Sequence, residues 1–211
     1  MYLAITTRPD IAFSVSVVSQ SLESPKQSDW QAVKRIFKYL RGTLSTKLLY
    51  RTNYKPGMLK AFSDADYAGD IQTRRSTSGI VCKYFGGAIS WMSQKQRSVA
   101  LSTTEAEFIA ANEGTKEVIW LKRLLQEITV LNEVPTLMID NASAIKLVKN
   151  PEFHKRSKHV EVRYYFVREK YHEGVINVEH VASIDQIADI MTKPLAKVQY
   201  LKLVNMLGLS N

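Results

Sequence analysis

Lys60-Ala-Phe-Ser-Asp64-Ala-Asp66-Tyr-Ala-Gly-Asp70 is an apolar approach that ends in three carboxylates. Two later segments repeat the pattern of an apolar run closing on an acid: Leu-Met-Ile139-Asp140-Asn and Gln-Ile-Ala188-Asp189-Ile-Met. Between them lies Ser-Thr-Thr-Glu105-Ala-Glu107-Phe-Ile-Ala, with acids at an expected helix start. A single carboxylate at a strand end is ordinary. Four such segments in a chain otherwise rich in base point to a divalent-metal site that works on a phosphate backbone.

Working outward from that stretch, the sequence predicts a mixed sheet. Met58 to about Asp64 is a first strand and Ser78 to Tyr84 a second. Gly86-Gly87 turns the chain into a third, Ala88 to Ser93. Val99-Ala-Leu101 either extends that strand or leads into a helix. Thr104 and Glu107 have capping-box spacing. Val118, Leu121, Leu125 and Ile128 then recur at helical spacing. Pro135 restarts a short buried strand ending at Asp140. Helices are expected over Asn141 to Val148 and His154 to His172, and Gly174 stops the second. Val175 to Val181 alternates as a strand, Asp185 to Thr192 reads as a short helix, and Pro194 opens a last helix ending near Gly208. The order β-β-β-α-β-α-α-β-α implies an α/β fold, a five-stranded mixed sheet flanked by helices. In such sheets, sites form where strands end and strand order reverses.

The first 54 residues read as a helical arm. Pro9 and Asp10 open a turn or helix, and Asn53 to Gly57 is a turn. Asp29 is placed to cap a helix with Trp30, Val33, Phe37 and Leu40 on one side. Lys34, Arg35, Lys38 and Arg41 lie on the other, and Gly42 ends it. Of the formal net charge of +9, residues 1–60 carry ten Lys/Arg against three Asp/Glu, or +7. A basic arm on a nearly neutral body suits a polyanionic partner. The bland reading is a solvated helix face. A single cysteine, Cys82, in an apolar run excludes an internal disulfide and reads as a buried thiol. No apolar stretch approaches membrane-spanning length. No cleavable signal opens the chain, so the expectation is a soluble intracellular protein without membrane contact.

Seven ordered pieces of the chain carry a resemblance. They are Ser63-Asp-Ala-Asp-Tyr-Ala-Gly-Asp70, Arg75-Ser-Thr-Ser-Gly79, Ser90-Trp-Met-Ser-Gln-Lys-Gln96, Leu101-Ser-Thr-Thr-Glu-Ala-Glu107, Ile139-Asp-Asn-Ala-Ser-Ala-Ile145, Lys158-His-Val-Glu-Val-Arg163 and Asp185-Gln-Ile-Ala-Asp-Ile-Met-Thr-Lys-Pro194. Together they resemble the C-terminal part of the pol polyprotein of copia-type LTR retrotransposons. The resemblance implies a ribonuclease H domain over 55–195, a remnant of reverse transcriptase over 1–54 and a helical tail over 196–211. The arm shares in it through Thr7-Arg-Pro-Asp-Ile11 and Trp30 to Thr43. The polymerase's paired-aspartate motif is absent from this chain, so no DNA synthesis is expected from it.

What the resemblance implies about the site follows residue by residue. Asp64, Glu107, Asp140 and Asp189 match the family's four carboxylates, which hold two Mg2+ ions, with Mn2+ able to substitute. Glu107-Phe-Ile-Ala110 fits the family's Glu with Ala three residues on. Glu105 would put Phe108 there and is better placed to meet the helix dipole. Asp66 and Asp70 read as loop acids. The implied reaction is cleavage of the RNA strand of an RNA–DNA hybrid, leaving 5′-phosphate and 3′-hydroxyl ends. His180, expected on the loop after the last strand, is either a proton carrier or a polar strand end. Arg74, Arg75, Lys155, Arg156, Lys158 and Arg163 are the expected nucleic-acid contacts, joined by the hydroxyls of Ser76 and Thr77. Trp91 either stacks on a sugar or belongs to the core. His154 and His159 have no acid or cysteine at a zinc spacing.

Two further readings remain open from sequence. One is a catalytically silent nucleic-acid-binding remnant of a truncated element. The other is a different two-metal nuclease or integrase-like domain on a similar sheet. The expected partners are the hybrid and an upstream reverse transcriptase domain.

Overall fold

The computed structural model describes residues 1–51, 58–131, 133–150 and 166–210. The expected turn at 53–57 and the basic residues Lys155, Arg156, Lys158 and Arg163, with His154 and His159, lie outside the described residues.

The body is a five-stranded sheet in the order β4-β3-β2-β5-β6. These strands are β2 Lys60–Ala65, β3 Thr77–Tyr84, β4 Gly87–Lys95, β5 Thr136–Ile139 and β6 Asn177–His180. β2, β3 and β4 form an antiparallel meander, while β5 and β6 add in parallel beside β2. The parallel joints need crossovers, supplied by the helices α4 Thr103–Ile128 and α5 Ala142–Lys149 and by α6, which includes residues 166–172. The mixed five-stranded sheet predicted from the sequence is the one found.

Each face of the sheet carries its own core. Leu59, Ala61, Ile80, Leu137, Ile139 and Val178 meet Phe108, Ala111, Val118 and Leu121 of α4. Phe62, Val81 and Ala88 meet Ile187, Ala188, Ile190 and Met191 on the other face, with Leu203 of α7 Lys197–Met206 and Leu207 just after it. Cys82 is a fully buried thiol, as read from its apolar run, and burial pushes its pKa up. Trp91 packs against the second core and donates from Nε1 to the Ala4 carbonyl at 2.6 Å, which decides for its core reading.

Three local expectations need correction. First, α4 begins earlier than Thr104. Ser102 is its N-cap and accepts from the Glu105 amide at 3.1 Å, so the capping acid is Glu105 rather than Glu107. Second, α3 Gln27–Gly42 starts two residues before Asp29, whose carboxylate accepts from the Lys26 amide at 2.8 Å from inside the first turn. Third, the single short helix expected over 185–192 is two 3-10 turns, Ser183–Asp185 and Ile187–Met191. Of the two readings of Val99-Ala-Leu101, the approach to α4 is the one found, because β4 stops at Lys95.

The arm comprises α1 Tyr2–Thr6, a 3-10 turn Pro9–Ile11, α2 Ala12–Ser19 and α3. A two-residue strand after it, β1 Lys47–Leu48, pairs antiparallel with β7 Leu209–Ser210 at the far end of the chain. Among the described residues, no helix is long and apolar enough to cross a membrane.

Candidate metal centre

Two adjacent parallel strands set the frame. Phe62 of β2 faces Met138 of β5 in register, and two residues on, Asp64 and Asp140 stand level where the pair ends. α4 crosses the sheet closely enough to complete the set. A Cβ at Gly114 would sit 3.2 Å from Leu137 Cδ1, tighter than ordinary contact, so glycine lets the helix approach. The result places one oxygen from each of Asp64, Glu107 and Asp140 within 4.8 Å of the others.

Asp189 enters from the second face on the turn Ile187–Met191 and is 5% exposed. Buried Gln186 anchors that turn: its Nε2 donates to the Ser63 carbonyl at 2.9 Å, beside Asp64. Thr192 Oγ1 donates to Asp64 Oδ2. Lys193 Nζ lies 2.9 Å from Asp189 Oδ1 and 3.9 Å from Asp64 Oδ2. On the α4 side, Gln96 donates to the Ala106 carbonyl and to Ser78 Oγ, each at 2.9 Å. That ties the turn of α4 carrying Glu107 to the meander.

The acids disturb one another. Glu107 is pushed up to about 10 by burial, with the charges of Asp64 and Asp140 adding to it. Asp189 is pushed up to about 7, by burial first and Asp64 second. Glu107 Oε2 is buried with no hydrogen-bond partner among the described residues. An oxygen-only donor set, gathered tightly and partly orphaned, fits a hard divalent cation, which prefers carboxylate oxygens and retains water.

The two candidate glutamates now separate. Glu105 is spent on the helix start, where its Oε2 accepts from the Leu101 amide at 2.8 Å. Asp66 and Asp70 are loop acids, as read. Asp66 accepts from the Thr77 amide, and burial raises it to about 6. Asp70 pairs with Lys95 and is held down at about 2 by that bond, with the Thr73 and Gln72 amides helping. His180 is the last residue of β6, not a loop residue, and lies opposite Ile139. Its Nε2 is 3.2 Å from the Asp140 carbonyl, and the side chain is exposed. Arg74 and Arg75 are exposed on the β2–β3 connection. Gly79, Gln96, Gln186, Thr192 and Lys193 had no role from sequence. The spacing Asp189 to Lys193, an acid followed by a base four residues on, was the available signal for the last.

The retrovirus-related Pol polyprotein from transposon TNT 1-94 of Nicotiana tabacum is 47% identical over 193 residues, 92% of this chain. Pol polyproteins of the Arabidopsis thaliana transposons RE1 and RE2 align at 38%. This chain belongs to the retrovirus-related Pol polyproteins. It spans 14% of the TNT 1-94 polyprotein's length. The secreted RxLR effector protein 161 of Plasmopara viticola shares 49% identity over 121 residues, 84% of that protein. No protein-family model matches this Pol chain. Among solved structures, LC11-RNase H1, isolated from compost, superposes with a TM-score of 0.51 at 11% identity, covering 64% of this chain and 93% of that one. The Pol segment therefore has the ribonuclease H fold.

Proposed function

We propose that this Pol segment is a metal-dependent ribonuclease H that cuts the RNA strand of RNA–DNA hybrids. The observation that carries the reading is the convergence of Asp64, Glu107 and Asp140 from two strand ends and one helix, within 4.8 Å. Asp189 is the fourth acid of the set. These residues would hold two Mg2+ ions, or Mn2+. Bound there, the ions would supply an activated water and charge for the leaving oxygen.

The chain's own groups do the positioning. Thr192 fixes the rotamer of Asp64 by its hydroxyl bond. Gln186 and Gln96 hold the Asp189 turn and the Glu107 helix against the sheet. His180, exposed beside Asp140, is placed to carry a proton to or from solvent near the site. Arg74 and Arg75 would grip phosphates without reading sequence. A reverse transcriptase domain would accompany this segment in a full polyprotein, and no DNA synthesis is assigned to the segment itself.

The test is cleavage of an end-labelled hybrid with Mg2+, beside Asp64→Asn and an EDTA lane. RNA-strand cuts lost in both controls support the enzyme. A folded sample that binds hybrid but leaves it intact in Mg2+ and in Mn2+ would instead establish the silent binder.

A further inference from the structure

Lys193 sits where a cation is wanted. Among the described residues it alone pairs with any of the four acids, touching Asp189 at 2.9 Å and approaching Asp64 at 3.9 Å. The turn holds it there: the Lys193 and Thr192 amides both donate to the Asp189 carbonyl at 3.2 Å. Its side chain remains 43% exposed, so the ammonium can leave along an open path without disturbing the fold.

We propose that Lys193 is a built-in counter-cation, which shields Asp64 and Asp189 in the metal-free protein and must yield its place when a divalent ion enters. This rests on the metal-binding reading above. The ammonium and the ion compete for the same two carboxylates. An ion at these oxygens also repels a lysine about 4 Å away, an interaction worth roughly tenfold in affinity at a half-wet site. Four flexible carbons let the displaced ammonium swing outward, where a phosphate of a bound hybrid would be its next partner.

Competition makes a prediction that a structural role does not. Removing a supporting residue weakens metal binding. Removing a competitor strengthens it while making the metal-free fold less stable. Mg2+ uptake by the whole chain is measured by calorimetric titration at fixed ionic strength, for wild type, Lys193→Gln and Lys193→Arg. Melting in EDTA is recorded alongside. The expected result is a Lys193→Gln half-saturation about tenfold below wild type, with a lower melting temperature in EDTA. Lys193→Arg, which keeps the charge, should stay within about twofold of wild type. An unchanged or raised half-saturation in Lys193→Gln overturns the counter-cation and leaves the metal site intact. No uptake of Mg2+ or Mn2+ by wild type overturns the metal reading, and the counter-cation with it.

Discussion

Gly79 stands directly across the β2–β3 ladder from Asp64. Its missing side chain is what lets the Ile187–Met191 turn lie on the sheet. A Cβ there would fall 2.7 Å from the Ala188 carbonyl and Thr192 Cγ2, and 2.8 Å from Met191 Cβ. Those are atoms of the segment that brings Asp189 and Thr192 to Asp64.

Gly79→Ala should therefore damage stability and activity together. The backbone must shift, at about 1–3 kcal/mol for an overpacked site. The same shift separates Asp189 from Asp64. The expectation is a lower urea midpoint together with a cleavage rate down by tenfold or more, since a misplacement of about 1 Å costs on the order of a hundredfold. A variant with wild-type rate but a lower midpoint would show that the turn reseats itself.

The strand-end acids were legible because an apolar run that stops on Asp marks both a buried strand and its exit. Asp64 and Asp140 needed nothing more. The start of α4 was not legible to the residue, since Ser102, Thr103 and Thr104 can all cap, and Ser102 selects Glu105 as its partner where Thr104 selects Glu107. The Asp189 segment was located but read as one short helix, because so short a stretch carries no periodicity that separates two 3-10 turns from one continuous helix. β1 and β7 escaped altogether, as two-residue strands have no pattern and their partners lie at opposite ends of the chain.

Glu105 and Glu107 give the capping assignment its own test. Glu105→Ala removes an acceptor from the helix start and should cost about 0.5–2 kcal/mol, with cleavage retained. Glu107→Gln should abolish cleavage and weaken Mg2+ binding. If Glu105→Ala abolishes cleavage at full stability, the two roles are exchanged.

The raised acids predict how the metal-free protein responds to pH. A carboxyl whose folded pKa lies above its unfolded value keeps a proton in the native state that the unfolded chain has lost. Stability then falls as pH rises from the unfolded pKa to the folded one. For Glu107 that window runs from an ordinary 4.5 to about 10, and for Asp189 from 3.8 to about 7. Melting in EDTA should drop between pH 5 and pH 8, and Glu107→Gln should flatten the decline. Mg2+ should restore more stability at pH 8 than at pH 5, because the ligands must lose their protons to bind. A wild-type melting temperature in EDTA that rises over this range would contradict the burial of Glu107.

A buried ion pair inside the arm sits where the arm meets the opposite end of the chain. Arg8 reaches Asp10 through Nε at 2.9 Å and Nη2 at 2.7 Å, with both residues buried. Tyr39 of α3 donates to the same carboxylate at 2.6 Å, and Tyr200 of α7 donates to the Asp10 carbonyl at 3.1 Å. Asp10→Ala strands the Arg8 guanidinium in a dry site and should cost about 3–5 kcal/mol. The double variant Arg8→Met with Asp10→Leu leaves no orphaned charge, so it should recover at least half of that loss. Urea unfolding of wild type and the two variants gives both numbers. A loss below about 1 kcal/mol for Asp10→Ala would mean that the ion pair adds little, and that the Trp91–Ala4 bond, the Tyr200 bond to the Asp10 carbonyl and the β1–β7 pair carry the junction.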